Sequence, residues 1–146
     1  MSNRLFETDL ASDLEFLTAR ARALGSARAN ARLEALNLKV RSYAVLALAC
    51  SDSNPSQREL ADFLSLDASQ IVALVDGLEQ RGLVVRESDP RDRRSNVIKP
   101  TDAGRTLFAQ AATQVRIAED ESLRSLSATE RAQLREYLSR IAFDAS

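Results

Sequence analysis

Three arginines in one short segment have the charge and the spacing that suit contact with a phosphate backbone. The segment DPRDRRSN, residues 89–96, holds Arg91, Asp92, Arg93 and Arg94 between two short apolar runs. Two β-prone runs joined by a charged, proline-containing connection predict a hairpin whose tip meets solvent or a polyanion. Arginines at such a tip suit insertion into a narrow minor groove, where the negative potential of DNA is concentrated. Asp92 and Arg94 are expected to pair and to shape the tip. A solvated hairpin that binds nothing is the alternative.

Two helices with their own start signals are expected immediately before this hairpin. Ser56 and Glu59 occupy the N-cap and N3 positions of one capping box, and Asp67 and Gln70 occupy those of a second. The inward positions are expected to be Leu60, Phe63 and Leu64 in the first helix and Ile71, Leu74, Val75 and Leu78 in the second. Gly82 predicts the left-handed end of the second helix. Helix, turn, helix and hairpin in this order predict a winged helix, which is a DNA-reading fold.

Base contacts are expected at the N-terminal end of the second helix. This end enters the major groove in a helix-turn-helix, and here it presents Ala68, Ser69, Gln70 and Ala73. Glutamine can bond adenine bidentately, serine can bond base edges or phosphate, and the two alanines permit close approach. Gln70 could instead do no more than complete its own capping box, so both roles stay open for it.

The distribution of charge, rather than its total, indicates a polyanionic partner. The net charge is −1, but residues 20–41 hold six cations against one acid, and residues 81–105 hold seven cations against four acids. Residues 56–81 hold two cations against five acids, so the reading helix cannot bind DNA by bulk charge. We therefore expect helix N-terminal amides and hydroxyls, including those of Ser56 and Gln57, to hold phosphates there, while the hairpin supplies cationic attraction.

The chain has no histidine and one cysteine, Cys50. The absence of histidine removes Ser-His-Asp and Cys-His nucleophilic pairs and the commonest ligand of transition metals. We therefore expect no catalytic residue, no cofactor and no metal site, and hence no enzyme. Cys50 lies in the apolar run YAVLALAC, which favours a small buried hydrophobe over a redox-sensing thiol. The N-terminal MSNRLFETDL lacks the apolar stretch of a signal peptide, which predicts a cytoplasmic protein.

Longer helices are expected on both sides of this core. A helix at about residues 8–29 carries a heptad-like seam of Leu10, Leu14, Leu17, Ala21 and Leu24. This seam can bury against the chain's own core or against a second copy. Helices are also predicted at about 39–50 and 102–123. A third capping box at Ser127 and Glu130 starts a last helix.

These elements predict one domain over residues 1–146, mainly α with a small β-wing. In this architecture, N- and C-terminal dimerisation helices, at about 1–35 and 102–146, flank a winged helix-turn-helix core. The core, at about 36–101, is the expected DNA-binding lobe.

The segment SQRELADFLSLDASQIVALVDGLEQRGLVVRESDPRDRRSNVIKPTDAG resembles the core of the MarR (multiple antibiotic resistance regulator) family of transcription factors. The resemblance rests on the helix pair, the DPRDRR hairpin and the TDAG that follows, and LNLKVRSYAVLALA upstream is similar to the family's second helix. It implies an obligate homodimer that reads a pseudo-palindromic operator as a repressor, and a small anionic or phenolic effector that weakens binding. By position it places Ser69 and Gln70 among the recognition contacts, Asp92 and Arg94 on the wing, and Tyr43 near the ligand crevice.

The identity of the effector is not readable from the residues. Arg28 and Arg41 could hold a carboxylate near Tyr43, although arginines on a solvated helix face are the alternative. Two other functions stay open at this level. A winged helix can bind protein instead of DNA, and a regulator could respond to oxidants through Cys50.

Overall fold

The computed structural model describes residues 4–144 of the chain. Within this range the elements are α1 (Leu14–Leu33), α2 (Val40–Cys50), α3 (Gln57–Leu64), α4 (Ala68–Gln80), β1 (Val84–Asp89), β2 (Asp92–Pro100), α5 (Asp102–Ser122) and α6 (Ala128–Phe143). Short 3-10 turns cover Arg4–Glu7, Asp9–Ser12 and Glu34–Leu36. The predicted class, mainly α with a small β-wing behind a helix-turn-helix, is confirmed. No helix in the described range is both long enough and apolar enough to cross a lipid bilayer.

The chain forms two compact units. One, which we call the winged lobe, contains residues 29–115 and therefore α2 to α4 and both strands. The other, the terminal unit, contains the N-terminal segment up to Arg28 and the segment from Arg116 onward. Helices α1 and α5 each contribute residues to both units. The roles assigned to these regions, dimerisation and DNA binding, stay predictions.

The capping boxes expected at three helix starts are all formed. At α3, the Glu59 amide donates to Ser56 Oγ over 3.1 Å, and the Ser56 amide donates to Glu59 Oε2 over 2.7 Å. At α4, the Gln70 amide donates to Asp67 Oδ1 over 2.9 Å, and the Asp67 amide donates to Gln70 Oε1 over 3.2 Å. The third box starts α6. Because each box satisfies two otherwise unpaired amides, the sequence alone places these starts within a residue.

The predicted start of the first helix is wrong. Instead of continuous helix from Thr8, the chain makes two 3-10 turns, and α1 begins only at Leu14, after Asp13 Oδ1 accepts the Glu15 amide. The seam leucines do not bury within the chain, since Leu10 is 57% exposed and Leu14 79%. At the other end α1 continues past Ala29 to Leu33, because Ala29 and Leu33 are buried and extend its apolar face.

The core of the winged lobe joins α2, α3, α4 and the strands. Its largest fully buried side chains are Leu33, Leu46, Leu60, Ile71, Ile98, Val45, Val75 and Val84. Among the expected inward positions of α3, Phe63 is an error, because its side chain is 61% exposed. Leu60 is fully buried, and Leu64 is partly buried and packs against the core. Phe63 fits the helical period that Leu60 starts, but neighbouring elements leave most of its side chain exposed.

The wing is longer and its connection shorter than the sequence predicted. β1 and β2 pair antiparallel from Val84 opposite Pro100 up to Asp89 opposite Asp92. Since Ser88 lies opposite Asn96 and Asp89 opposite Asp92, the β2 residues Arg93, Arg94 and Ser95 have no opposite residue on β1. A bulge of this kind turns side chains out of the ladder.

The root of the wing closes through Thr101 and Gly104. Thr101 Oγ1 donates to the Gly82 carbonyl over 2.6 Å, and the Thr101 amide donates to the Leu83 carbonyl over 3.0 Å. Gly82 itself has φ +70°, as expected for the left-handed end of α4. A Cβ at Gly104 would lie 2.0 Å from the Leu83 carbonyl oxygen. The first turn of α5 therefore packs directly on the backbone that connects α4 to β1. Only glycine fits at position 104.

We predict that Gly104→Ala destabilises the protein by about 2–3 kcal/mol, because a backbone oxygen cannot move aside as a side chain can. Gly77→Ala is the matched control. Nothing lies within 4 Å of a Cβ at Gly77, on α4, so this change should stabilise by up to about 1 kcal/mol through helix propensity. Chemical denaturation followed by circular dichroism measures both. Similar free energies of unfolding for the two variants would show that the close contact between Gly104 and the Leu83 carbonyl does not exclude a Cβ.

Candidate nucleic-acid interface

The N-terminal end of α4 presents the residues that sequence analysis expected to read bases. Ala68, Ser69 and Ala73 are exposed, whereas Gln70 is half-buried. Ser69 Oγ donates to Asp67 Oδ1 over 2.6 Å, and Gln70 Oε1 accepts the Asp67 amide. In the free protein both polar side chains are therefore used in the cap. Gln70 Nε2 has no partner among the described residues, so it is the donor left for a base edge.

Asp67 stays ionised at this helix start. The hydrogen bond from the Ser69 hydroxyl, that from the Gln70 amide and the positive charge of Arg41 hold the pKa of its carboxyl below the ordinary value. The charge of Arg41, on α2, therefore acts on the N-terminal end of α4. A cation there also suits a phosphate that flanks the groove.

Arg93 and Arg94 lie in the bulge of β2 and are exposed. Neither guanidinium has a partner within residues 4–144. The pair expected between Asp92 and Arg94 takes another form, because Asp92 Oδ1 accepts the backbone amide of Arg94 over 3.0 Å. Asp92 therefore shapes the tip through the main chain and leaves the Arg94 side chain available.

Arg91 differs from its neighbours because it binds carboxylates of the protein itself. Its Nε donates to Asp89 Oδ1 over 3.1 Å, its Nη2 donates to Asp89 Oδ2 over 3.2 Å, and Nη2 also lies 3.3 Å from Glu59 Oε2. Asp89 is only 4% exposed. Glu59 thus serves both the cap of α3 and the wing. Arg91 stays a predicted DNA contact, but such a contact would compete with these bonds.

The pKa values of both carboxyls are shifted in the direction these bonds require. The bond from the Ser56 amide, followed by that from Arg91, lowers the pKa of Glu59. The side chain of Arg91, followed by its backbone amide, lowers the pKa of Asp89. Both acids are therefore ionised at neutral pH, and Arg91 neutralises part of their charge next to the expected path of DNA.

Ser56 and Gln57, predicted phosphate contacts at the start of α3, have different surroundings. Ser56 is 8% exposed, and its Oγ accepts the Glu59 amide within the capping box. Because it is buried, the Ser56 side chain is not among the proposed phosphate contacts. Gln57 is half-buried, and its Oε1 accepts a hydrogen bond from Arg86 Nε over 2.7 Å.

Arg86 is the residue whose role sequence analysis missed. Its side chain, 20% exposed, binds Asp76 and Glu79 of α4. Strand alternation carries the signal that could have found it, because Arg86 lies two residues after the buried Val84 and shares its face. Asp76 and Glu79, three residues apart on α4, then share the helix face that meets it.

The three residues of the predicted ligand pocket lie on two helices. Tyr43, on α2, stacks on Phe108 of α5 with ring centroids 5.9 Å apart. Arg41 is exposed on the same helix. Arg28 belongs to the terminal unit, where its Nη1 donates to Ser122 Oγ over 3.3 Å. A ligand site formed by the three stays a prediction.

Cys50 lies at the end of α2 and is half-buried. Burial raises the pKa of its thiol, and the charge of Arg105 only partly opposes this. Little thiolate is therefore present at neutral pH, which disfavours reaction with oxidants. Within residues 4–144 no group of three or more His, Cys, Asp or Glu side chains is arranged to hold a metal ion.

Known proteins are similar to this chain in both sequence and fold. The sequence model of a protein family described as "MarR family" matches residues 36–95 of this chain. A MarR-family transcriptional regulator from Rhodococcus sp. RHA1 is 40% identical, with a TM-score of 0.90 over 94% of this chain and 98% of that structure. CouR from Rhodococcus jostii RHA1, solved with p-coumaroyl-CoA bound, is 38% identical, with a TM-score of 0.86 over 95% of this chain and 98% of that one.

A curated relative also has a regulatory description. The putative transcriptional regulatory protein for the hcr operon of Thauera aromatica is 32% identical over 99 residues. The matched part is 68% of this chain and 60% of that protein.

The lowered pKa of Glu59 predicts how stability depends on pH. A carboxyl whose pKa is lower in the folded state contributes stability above its unfolded pKa and loses that contribution as pH falls toward the folded value. The free energy of unfolding should therefore fall from about pH 5 downward, and Glu59→Gln should flatten this fall. Denaturation at a series of pH values measures it.

Glu130→Gln is the matched variant for this test. Glu130 occupies the same position of the α6 capping box, and its pKa is lowered by Ser127 alone. Its substitution should flatten the pH dependence less than that of Glu59, because no arginine is involved. Equal flattening would mean that Arg91 contributes nothing to the ionisation of Glu59.

Proposed function

The chain belongs to the MarR family of transcriptional regulators, and on that premise we propose that it is a sequence-specific DNA-binding repressor that acts as a homodimer and responds to a small ligand. The observation that carries this proposal is the pair Arg93 and Arg94. Both are exposed and unpaired within the described residues, and both lie in a bulge at the wing tip. Nearly every other charge of the wing is bound to a protein group.

In the proposed complex α4 enters the major groove by its capped end, and the wing tip enters the neighbouring minor groove. Ser69 and Gln70 would contact base edges, with Ala68 and Ala73 permitting close approach. Arg93 and Arg94 would supply the cationic attraction. Gln57 and the first amides of α3 would hold phosphate.

A homodimer is supported by apolar residues that the chain itself leaves uncovered. In the terminal unit Leu14 is 79% exposed, Ile141 73% and Phe143 70%. A groove of about 310 Å³ between α5 and α6 is lined by Leu123, Leu134 and Leu138, among others. Exposed apolar surface of this extent marks an interaction site, and a second copy would double the reading surface to match a pseudo-palindrome.

The proposed effector is a small anionic or phenolic compound. CouR, 38% identical, was solved with p-coumaroyl-CoA, a phenolic acyl group on an anionic carrier. Arg41 and Tyr43, both on α2 of the winged lobe, are the residues proposed to meet it, because they combine positive charge with an aromatic face. Binding would favour a spacing of the two lobes that does not fit both half-sites.

The other two functions considered lack a supporting observation. A protein-binding module has no evident use for two unpaired arginines at the wing tip. A thiol sensor needs a reactive thiolate, and burial raises the pKa of Cys50. A non-enzymatic role is likewise part of the proposal.

The DNA contacts are tested with a duplex selected by the wild-type protein from a random-sequence pool. Arg94→Ala should weaken binding to selected and scrambled duplexes alike. It should also make the negative slope of log K against log salt shallower by about 1, because a phosphate contact is lost. Gln70→Ala should cost about 1–3 kcal/mol at one base position and leave the slope unchanged. Fluorescence anisotropy at several salt concentrations measures both effects.

Arg124→Ala is the matched control, since it removes an equal charge from the terminal unit, outside the winged lobe. It should leave the salt slope as it is. If the wild-type protein bound no duplex even at low ionic strength, DNA binding would be refuted.

The homodimer is tested by sedimentation equilibrium. The wild-type protein should have twice the chain mass of 16.1 kDa, and Leu14→Asp with Ile141→Asp should yield the monomer, because a charge cannot be buried unpaired in an apolar interface. Phe63→Asp is the control, since this residue is 61% exposed but lies on α3. A wild-type monomer at micromolar concentration would contradict the proposal.

A further inference from the structure

Arg86 connects three elements of the winged lobe through hydrogen bonds at every nitrogen of its guanidinium. From β1, its Nη2 donates to Asp76 Oδ1 over 2.7 Å, its Nη1 donates to Glu79 Oε1 over 2.8 Å, and its Nε donates to Gln57 Oε1 over 2.7 Å. Asp76 and Glu79 lie on α4, and Gln57 is the first residue of α3. One side chain thus links the reading helix, the helix before it and the wing.

Glu79 binds Arg86 at two points. Besides accepting from Nη1, its other carboxylate oxygen accepts the backbone amide of Arg86 over 3.1 Å. The strand backbone and the guanidinium are therefore held by one carboxylate near the end of α4. Such a two-point contact fixes the angle between strand and helix more tightly than a single hydrogen bond does.

These bonds leave the Arg86 guanidinium poorly placed to bind a DNA phosphate. The side chain is 20% exposed, and all three nitrogens already have protein acceptors. Its charge offsets one of the two carboxylates it binds. Arg86 and Arg94 both belong to the wing, but only the guanidinium of Arg94 is left available to DNA.

Arg86 also determines which end of the Gln57 amide is free. Arginine has donors and no acceptor, so the atom of Gln57 that faces Nε must be the oxygen Oε1. The Nε2 group is left without a partner among the described residues. At the N-terminus of α3 a free amide donor is the group that suits a phosphate oxygen.

We propose that Arg86 is a positioning residue that holds the wing and α4 at one spacing and presents Gln57 Nε2 to a DNA phosphate, without contacting DNA itself. This inference rests on the proposed DNA binding. It assigns the arginines of the wing to two roles, internal positioning at its base and phosphate contact at its tip.

Arg86→Lys is the decisive variant, because it keeps the positive charge. An ammonium group is a compact point charge and cannot reach the three acceptors that the planar guanidinium bonds at once. If Arg86 acted only by neutralising Asp76 and Glu79, lysine would serve as well. Arg86→Met, which removes the charge as well, is the companion variant.

The readout is a double-mutant cycle between residues 86 and 57, measured as affinity for the selected duplex. Gln57→Ala should weaken binding about fivefold in the wild-type background and about twofold or less in Arg86→Lys, because Gln57 is no longer oriented. Arg94→Ala is the control partner and should cost the same factor in both backgrounds. The salt slope should be unchanged in Arg86→Lys and Arg86→Met.

Each contrary result has a distinct meaning. The proposal would be overturned in favour of charge alone if Arg86→Lys bound the duplex with wild-type affinity and Gln57→Ala still weakened binding about fivefold in that background. A slope reduced by about 1 in Arg86→Met would overturn it by showing a phosphate contact.

Amide hydrogen exchange without DNA separates this inference from the function on which it rests. In Arg86→Lys, β1 and the first turn of α3 should exchange about threefold faster or more, since their link to α4 is weakened. Unchanged exchange would count against the positioning role even where DNA binding holds. Faster exchange in a protein whose wild type ignores DNA would support the link between elements while refuting DNA binding.

Discussion

The winged lobe depends on the pairing of its acids with two arginines of its own wing. Asp76, Glu79, Asp89 and Glu59 would otherwise repel a phosphate backbone, since they lie on or next to the elements expected to approach it. Arg86 binds the first two, and Arg91 binds the other two. The negative charge that sequence analysis found between residues 56 and 81 is thus largely bound internally. In the proposed complex, the attraction to DNA comes from Arg93 and Arg94 in the bulge at the wing tip.

The same pairs join the polar outer part of the wing to α3 and α4. The wing is a two-stranded hairpin, which is marginal in isolation, and its outer half carries polar side chains. Its root is fixed to the main chain at Leu83 by Thr101 and the close approach of Gly104. Its middle is fixed to α4 by Arg86, and its tip to the start of α3 by Arg91. Backbone packing at one end and ion pairs along the length together give the hairpin a defined direction.

Local signals explain what sequence analysis predicted correctly. The capping boxes at Ser56, Asp67 and Ser127 involve residues three apart, so their presence could be read directly, and all of them form. The errors came where a longer-range contact decides. α1 starts late because its first leucines find no core within the chain, and Phe63 is exposed although it continues the helical period of α3. Periodicity indicates a face, but not how much of that face a neighbour covers.

By itself the sequence determined the order of helices and strands, the positions of the caps and the concentration of arginine in the wing, because these depend on residues close together in the chain. Only the tertiary structure decided which arginines face the protein and which face outward. Arg86 meets Asp76 and Glu79 only when β1 lies beside α4, and Arg91 meets Glu59 across 32 residues of chain. Side chains of one type acquire different roles because ion pairing requires proximity in space, which local pattern does not encode.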